Sequence, residues 1–362
     1  MNKKSILLCA LCALCGQSLR ADPPPTTQPP GGGGADSTYI LFIDAHGNDS
    51  TATVGDPTHP WADWQTAYGS GATYSAAHGN CKVLLKGGII SGTGINLAAD
   101  WNSNVALAGM GPSLTSVGGI NASGTNGSNG ADGSAGVPGG NGANGGNAFN
   151  INLTSDLSVD VGNILADGGA GGNGGNNTDD TGTGGNGGNA GNPGAITLNG
   201  VYSSGAISES QQNFGNAGYD TGGYTFTSGY GGGVGGPTGG SNSTGGWLIL
   251  TNVVCTGAVN GNGGNGGTDQ FGGGAASSSG VSISISNSVV NTISASSGND
   301  NYGGGAAGYI ALDRTRFNSV TAAGSIPTLI DYCADGTAAV SNPFTGFGTS
   351  SSGAATTNSI QP

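Results

Sequence analysis

One short pattern recurs along the chain at irregular intervals: a β-branched apolar residue, a small or polar stretch, then glycine. It reads Ile120-Asn-Ala-Ser-Gly, Ile164-Leu-Ala-Asp-Gly, Val259-Asn-Gly-Asn-Gly, Ile293-Ser-Ala-Ser-Ser-Gly and Val320-Thr-Ala-Ala-Gly, with Ile207-Ser-Glu-Ser as a degenerate copy. Successive copies lie 44, 43, 52, 34 and 27 residues apart. Upstream of each stands another apolar anchor, Leu107, Leu153, Leu198, Leu250, Ile285 or Leu312. Two residues after that anchor comes Gly109, Ser155, Gly200, Asn252, Asn287 or Arg314, mostly types that tolerate a left-handed turn. In the last four units the second anchor follows the first by 8 or 9 residues. Two anchors that keep step while the spacer varies call for units that stack and spacers that loop out.

Helix is a poor candidate for the stacked unit. Glycine makes up 78 of 362 residues, roughly three times the usual share, and it costs a helix roughly 1 kcal/mol per residue. Only 7% of residues are charged, so the helix formers Glu, Lys and Arg are nearly missing. The apolar residues gather in short β-branched runs that suit strands. The expected fold is all-β, a parallel β-helix or solenoid in which each coil buries alternate apolar residues against the next. Trp61, Trp64 and Tyr68 stand at helical spacing after Pro60 and predict a short capping helix over the open end of the stack. The expected organisation is a signal peptide over 1–21, a Pro/Gly linker over 22–38, an N-terminal cap and first coils over 39–104, coils with glycine-rich insertions over 105–325, and a C-terminal cap and polar tail over 326–362.

Residues 44–109 carry Asp and Gly, then Pro with an aromatic, the helix, a strand ending in Gly, and Val105-x-Leu-x-Gly109. This stretch resembles the N-terminal region of secreted right-handed parallel β-helix proteins of the pectin-lyase-like group. The resemblance implies a right-handed coil. For enzymes of that group it implies action on acidic polysaccharide, with carboxylates holding calcium and an Arg or Lys as base or charge stabiliser.

The insertions are written in triplets. Gly-Gly-Asn141, Gly-Ala-Asn144 and Gly-Gly-Asn147 run on without a break, as do Gly-Gly-Ala170, Gly-Gly-Asn173 and Gly-Gly-Asn176, and the period returns at Asn186, Asn189, Asn192 and at Asn262, Asn265, Thr268. Polyproline II has three residues per turn, so each triplet puts one side chain on a common face and leaves two bare glycine faces for close packing. The tracts resemble the polyglycine loops of surface adhesins in period and composition. Ordered, they predict an uncharged asparagine face on one side of the stack; disordered, they are solvated linkers.

Lys3 and Lys4, the apolar run from Ile6 to Leu14 and Ser18 to Ala21 read as an export signal. The rest has no run long enough to span a membrane as a helix. Removing 1–21 leaves four basic residues against 20 acidic ones, which makes nucleic acid an unsuitable partner. Cys81, Cys255 and Cys333 remain, an odd count without metal-ligand spacing, and read as buried thiols or as one disulfide with one thiol left over.

Chemistry is sparse. The basic residues left for catalysis are Lys82, Lys86, Arg314 and Arg316, and Asp313 with the two arginines is the best local cluster. Calcium is the one candidate cofactor, with Asp44, Asp49 and Asp56 in one loop-like stretch and Asp179 with Asp180 in a glycine tract as candidate ligands. Tyr219, Tyr224 and Tyr230 gather in the third insertion as candidate ligand-binding aromatics able to stack on sugar rings. Two functions are expected from these features: a secreted, non-catalytic surface protein that binds carbohydrate or a cell-surface partner, or a polysaccharide lyase or glycoside hydrolase of the pectin-lyase-like group.

Overall fold

A computed structural model describes residues 39–70, 81–86, 89–90, 94–101, 105–110, 114–177, 183–219, 247–268, 278–298, 308–322 and 330–333. Of two compact units, Met1–Gly34 lies outside these residues, as do the expected signal peptide, the linker and most of the polar tail; the other unit is Ala35–Pro362. The described residues form an all-β chain of parallel strands with one short helix at 64–70.

Three parallel ladders run through the molecule. The first is a nine-stranded sheet, in order Tyr39–Ile43, Cys81–Lys86, Val105–Met110, Ile151–Thr154, Ile196–Asn199, Leu248–Thr251, Ile283–Ser286, Ile310–Asp313 and Ile330–Cys333. The other two share one sheet. One ladder climbs from Ile89–Ile90 through Thr115–Val117, Val159–Val161 and Tyr202–Ser203, the other from Ile95–Asn96 through Ile120–Asn121, Ile164–Leu165 and Ile207–Ser208, and both reach Val254–Asn260.

The anchors of the sequence pattern are the register of these ladders. Leu153, Leu198, Leu250, Ile285 and Leu312 are successive strand partners. Ile120, Ile164, Ile207, Val259, Ile293 and Val320 are another such row, which Ile95 extends by one. All belong to one apolar cluster and are almost wholly buried. Leu107 is buried but out of step, because Ala106 pairs with Thr154. A slip of two residues keeps the same face inward, so the core tolerates it.

The first corner takes the left-handed turn at Gly200 (φ 66°), Asn252 (53°), Asn287 (49°) and Arg314 (45°). Ser155 was expected there, but Leu157 (φ 66°) takes that conformation instead. Its repeat has a longer connection, from Thr154 to Val159, and so turns later. The backbone satisfies two of the polar residues that enter the core: Ser203 Oγ donates to the Gly162 carbonyl (2.8 Å), and Thr315 Oγ1 is within bonding distance of the Ile285 and Asp313 carbonyls.

The helix is capped by Asp63, whose Oδ2 accepts from the Thr66 N–H at 2.6 Å. Trp61, Trp64 and Tyr68 are buried in the same cluster as the strands, and Tyr68 stacks on Trp101 with centroids 4.4 Å apart. Among the described residues no helix is long and apolar enough to cross a membrane.

Candidate functional site

The glycine tracts carry almost no regular strand, yet they are hydrogen-bonded along their length. Each excursion leaves the strands and returns. The outgoing tract 123–133 is bonded to its own return, 138–149, and to the next outgoing tract, 167–177. Gly124, Gly127, Gly130 and Gly133 donate to the carbonyls of Asp167, Ala170, Asn173 and Asn176. The same steps of three link 167–177 to 209–219, 209–219 to 260–268, and the return tract 138–149 to the return tract 183–195.

An inner triplet accounts for all three of its backbone N–H groups, a requirement wherever chains pack out of water. In 171–173, Gly171 donates to the Asn213 carbonyl of the next outgoing tract, and Gly172 to the Ala143 carbonyl of the preceding return tract. Asn173 donates to the side-chain Oδ1 of Asn129 at 2.9 Å. Asparagine is therefore the rung, and it recurs from tract to tract. Asn216 donates to Asn173 Oδ1 and Thr268 to Asn216 Oδ1, forming the row Asn129, Asn173, Asn216, Thr268. Asp132 Oδ1 accepts from Asn176 and Asn176 Oδ1 from Tyr219, forming a second. The return tracts repeat the device from Asn141, Asn144 and Asn147 to Asn186, Asn189 and Asn192.

Glycine is imposed by contact. A Cβ on Gly171 would fall on the Gly188 carbonyl of the same excursion, and one on Gly172 on the Ser128 carbonyl of the preceding excursion. The third residue points outward, and Asn126, Asn129, Asn173, Asn213 and Asn216 are exposed. Their amide oxygens are engaged within the array. With those oxygens engaged, the amide Nδ2 groups of these exposed side chains supply neutral donors to this face.

Tyr219 ends the second row and is 45% exposed. Tyr224, Tyr230, Asp179 and Asp180 lie outside the described residues. The remaining candidates do not assemble. Asp44 Oδ1 accepts from the His46 N–H, Asp49 Oδ1 from those of Ala62 and Asp63, and Asp56 Oδ1 from the N–H and hydroxyl of Thr58. Asp44 and Asp56 thus each hold a local turn, and Asp49 holds the chain just before the helix. The Thr58 and His59 hydrogen bonds keep Asp56 down at about 2. Among the described residues no group of three His, Cys, Asp or Glu side chains is placed to hold a metal.

Asp313 pairs with Arg314 at 3.1 Å, both well exposed. Arg314 sits at the left-handed corner rather than in a strand, and Arg316 is exposed beyond buried Thr315. Among the described residues neither arginine is ion-paired to a second carboxylate. Cys255 is buried, its thiol pushed up to about 11 by desolvation; the side chains of Cys81 and Cys333 lie outside the described residues.

Sequence reasoning missed Glu209, the only glutamate in the chain. It stands two residues after the anchor Ile207, in a column that after Leu97 runs Ala122 and Ala166 before it and Gly261 and Ala295 beyond it. Its carboxyl is wholly buried; Oε2 accepts a long bond from the Ile196 N–H (3.3 Å), and Oε1 has no partner among the described residues. Burial pushes its pKa up to about 9. The signal was the break in the Ala/Gly column, visible once the repeats are aligned.

No protein-family model, curated protein or solved structure matches the chain.

Proposed function

We propose that the parallel ladders are the turns of a right-handed β-helix, that the glycine tracts pack along one side of it as polyproline II chains, and that the protein is an exported, non-catalytic binder of carbohydrate or of a cell-surface partner. The observation that carries the reading is the donor-rich asparagine face. Its side chains are fixed by their own ladder, so binding costs them little further ordering. Neutral amide donors at a step of about 9 Å, three residues of polyproline II, suit the hydroxyl and ring oxygens of extended glycans. Exposed Tyr219 at the rim offers a stacking surface.

Asparagine to aspartate tests this, because it keeps the Oδ acceptor that holds the neighbouring tract and removes the donors. In a screen of neutral and acidic polysaccharides, the triple variant Asn129→Asp, Asn173→Asp, Asn216→Asp should lose binding at least tenfold while Arg314→Gln with Arg316→Gln binds like the wild type. Unchanged binding by the aspartate variant would sink the proposal. So would depolymerisation of any glycan that is lost in the arginine variant, which is the outcome the pectin-lyase-like enzyme reading requires.

A further inference from the structure

The first excursion breaks the triplet rule in one place only. In the second excursion the second position is glycine at Gly169, Gly172, Gly175, Gly185, Gly188 and Gly191. At each of these a Cβ would fall on a backbone carbonyl of the preceding excursion. In the first excursion four of the six corresponding positions hold Thr125, Ser128, Ala131 and Ala143, all exposed, and the other two keep Gly140 and Gly146. The first position keeps its glycines there: a Cβ on Gly124, Gly127 or Gly130 would fall on Gly146, Ala143 or Gly140 of its own return. Side chains thus stand at four of these six positions, where no earlier tract packs among the described residues.

This edge is otherwise ready to be extended. In the inner tract Asn173 turns both its N–H and its C=O toward the preceding excursion, where Asn129 Oδ1 and the Gly130 N–H meet them. In the first excursion the corresponding residues are Asn126, Asn129, Asp132, Asn141, Asn144 and Asn147. All are exposed, and their N–H and C=O groups have no partner among the described residues. At the next step inward the chain covers its own edge: Asn150 donates to Asp100 Oδ1 and accepts from the Trp101 N–H. A row of regularly spaced, unpaired backbone groups is a template for another chain, as at the edge of a β-sheet.

We propose that Thr125, Ser128, Ala131 and Ala143 are a steric stop that closes this edge to the glycine tracts of a second copy of the chain. Any tract laid against the edge as the inner tracts lie on one another would bring its carbonyls onto these four side chains. The occupant kept out is a second copy because its tracts carry the matching donors and acceptors at the matching period of three.

The test is Thr125→Gly, Ser128→Gly, Ala131→Gly, Ala143→Gly, which leaves every hydrogen-bonding group in place. Analytical ultracentrifugation of the mature chain should show the variant self-associating as concentration rises to about 100 µM, a range that reads micromolar Kd values, while the wild type gains no association through this edge. Amide exchange locates the contact: the N–H groups of Asn126, Asn129, Asn141 and Asn144 should slow with concentration in the variant and stay fast in the wild type. The two-site variant Ser128→Gly, Ala131→Gly, with less added chain entropy, should show the same shift more weakly and serves if the four-site variant does not fold. Overturning results are a folded glycine variant that stays monomeric with fast edge amides, or a wild type whose edge amides already slow on concentration.

Discussion

Replacing Gly172 with alanine should cost on the order of 3 kcal/mol or more, the upper end for overpacking, because the obstruction is backbone rather than a side chain that can rotate away. The added methyl would fall on the Ser128 carbonyl. Relieving that contact separates two tracts, and the bonds from Gly127 to Ala170 and from Gly130 to Asn173 lie on either side of it. The neighbouring substitution Asn173→Ala should cost only about 1 kcal/mol, one hydrogen bond. Its side chain points outward, and the third position is already alanine at Ala170. Urea unfolding of the two variants measures the contrast. Equal and small losses would mean that the tracts do not pack.

Glu209→Gln should change how stability depends on pH. In the folded chain burial holds the carboxyl at about 9 against an ordinary 4.5. The folded state therefore keeps a proton that the unfolded chain releases. That contribution is fully present below pH 4.5 and is lost as pH rises toward 9, at up to about 1.4 kcal/mol per pH unit. Glutamine carries no such proton. At pH 4 the two proteins should be nearly equal, and at pH 8 the variant should be more stable by about 5 kcal/mol. Parallel stability curves across that range would show that the Glu209 carboxyl is solvated or paired.

Much of the core was legible because a stacked chain repeats its register in its residues. The anchors could be aligned across spacers of unequal length, since an insertion that leaves and returns does not disturb the strands on either side of it. What failed was local. Leu107 matched the pattern while standing two residues out of register, and the left-handed residue moved from Ser155 to Leu157, because the sequence does not mark how long a corner is. Ile95 was missed because no glycine closes its copy.

The glycine tracts were half legible. Their period showed that one residue in three faces outward, but three chain segments far apart in sequence decide what the two glycines touch. The asparagines read as a polar face; that their oxygens are the rungs joining one tract to the next depends on neighbours 43 to 52 residues away. Candidate chemistry was the least legible part. Asp44, Asp49 and Asp56 look like a loop of ligands in sequence, yet Asp44 and Asp56 each hold a turn and Asp49 binds the N–H groups of Ala62 and Asp63. Arg314 and Arg316 look like a strand pair, yet the first makes a corner. Glu209 escaped notice because a lone acidic residue among serines reads as surface.

The most direct measurement is amide hydrogen exchange at Gly169, Gly172, Gly188 and Gly191 of the mature protein. Their N–H groups donate to the carbonyls of Gly146, Ala143, Gly172 and Gly169, so exchange should be as slow as in the strands around Leu198 and Ile207. Exchange at the rate of a free glycine peptide would contradict the packed array and, with it, the asparagine face on which the proposed binding rests.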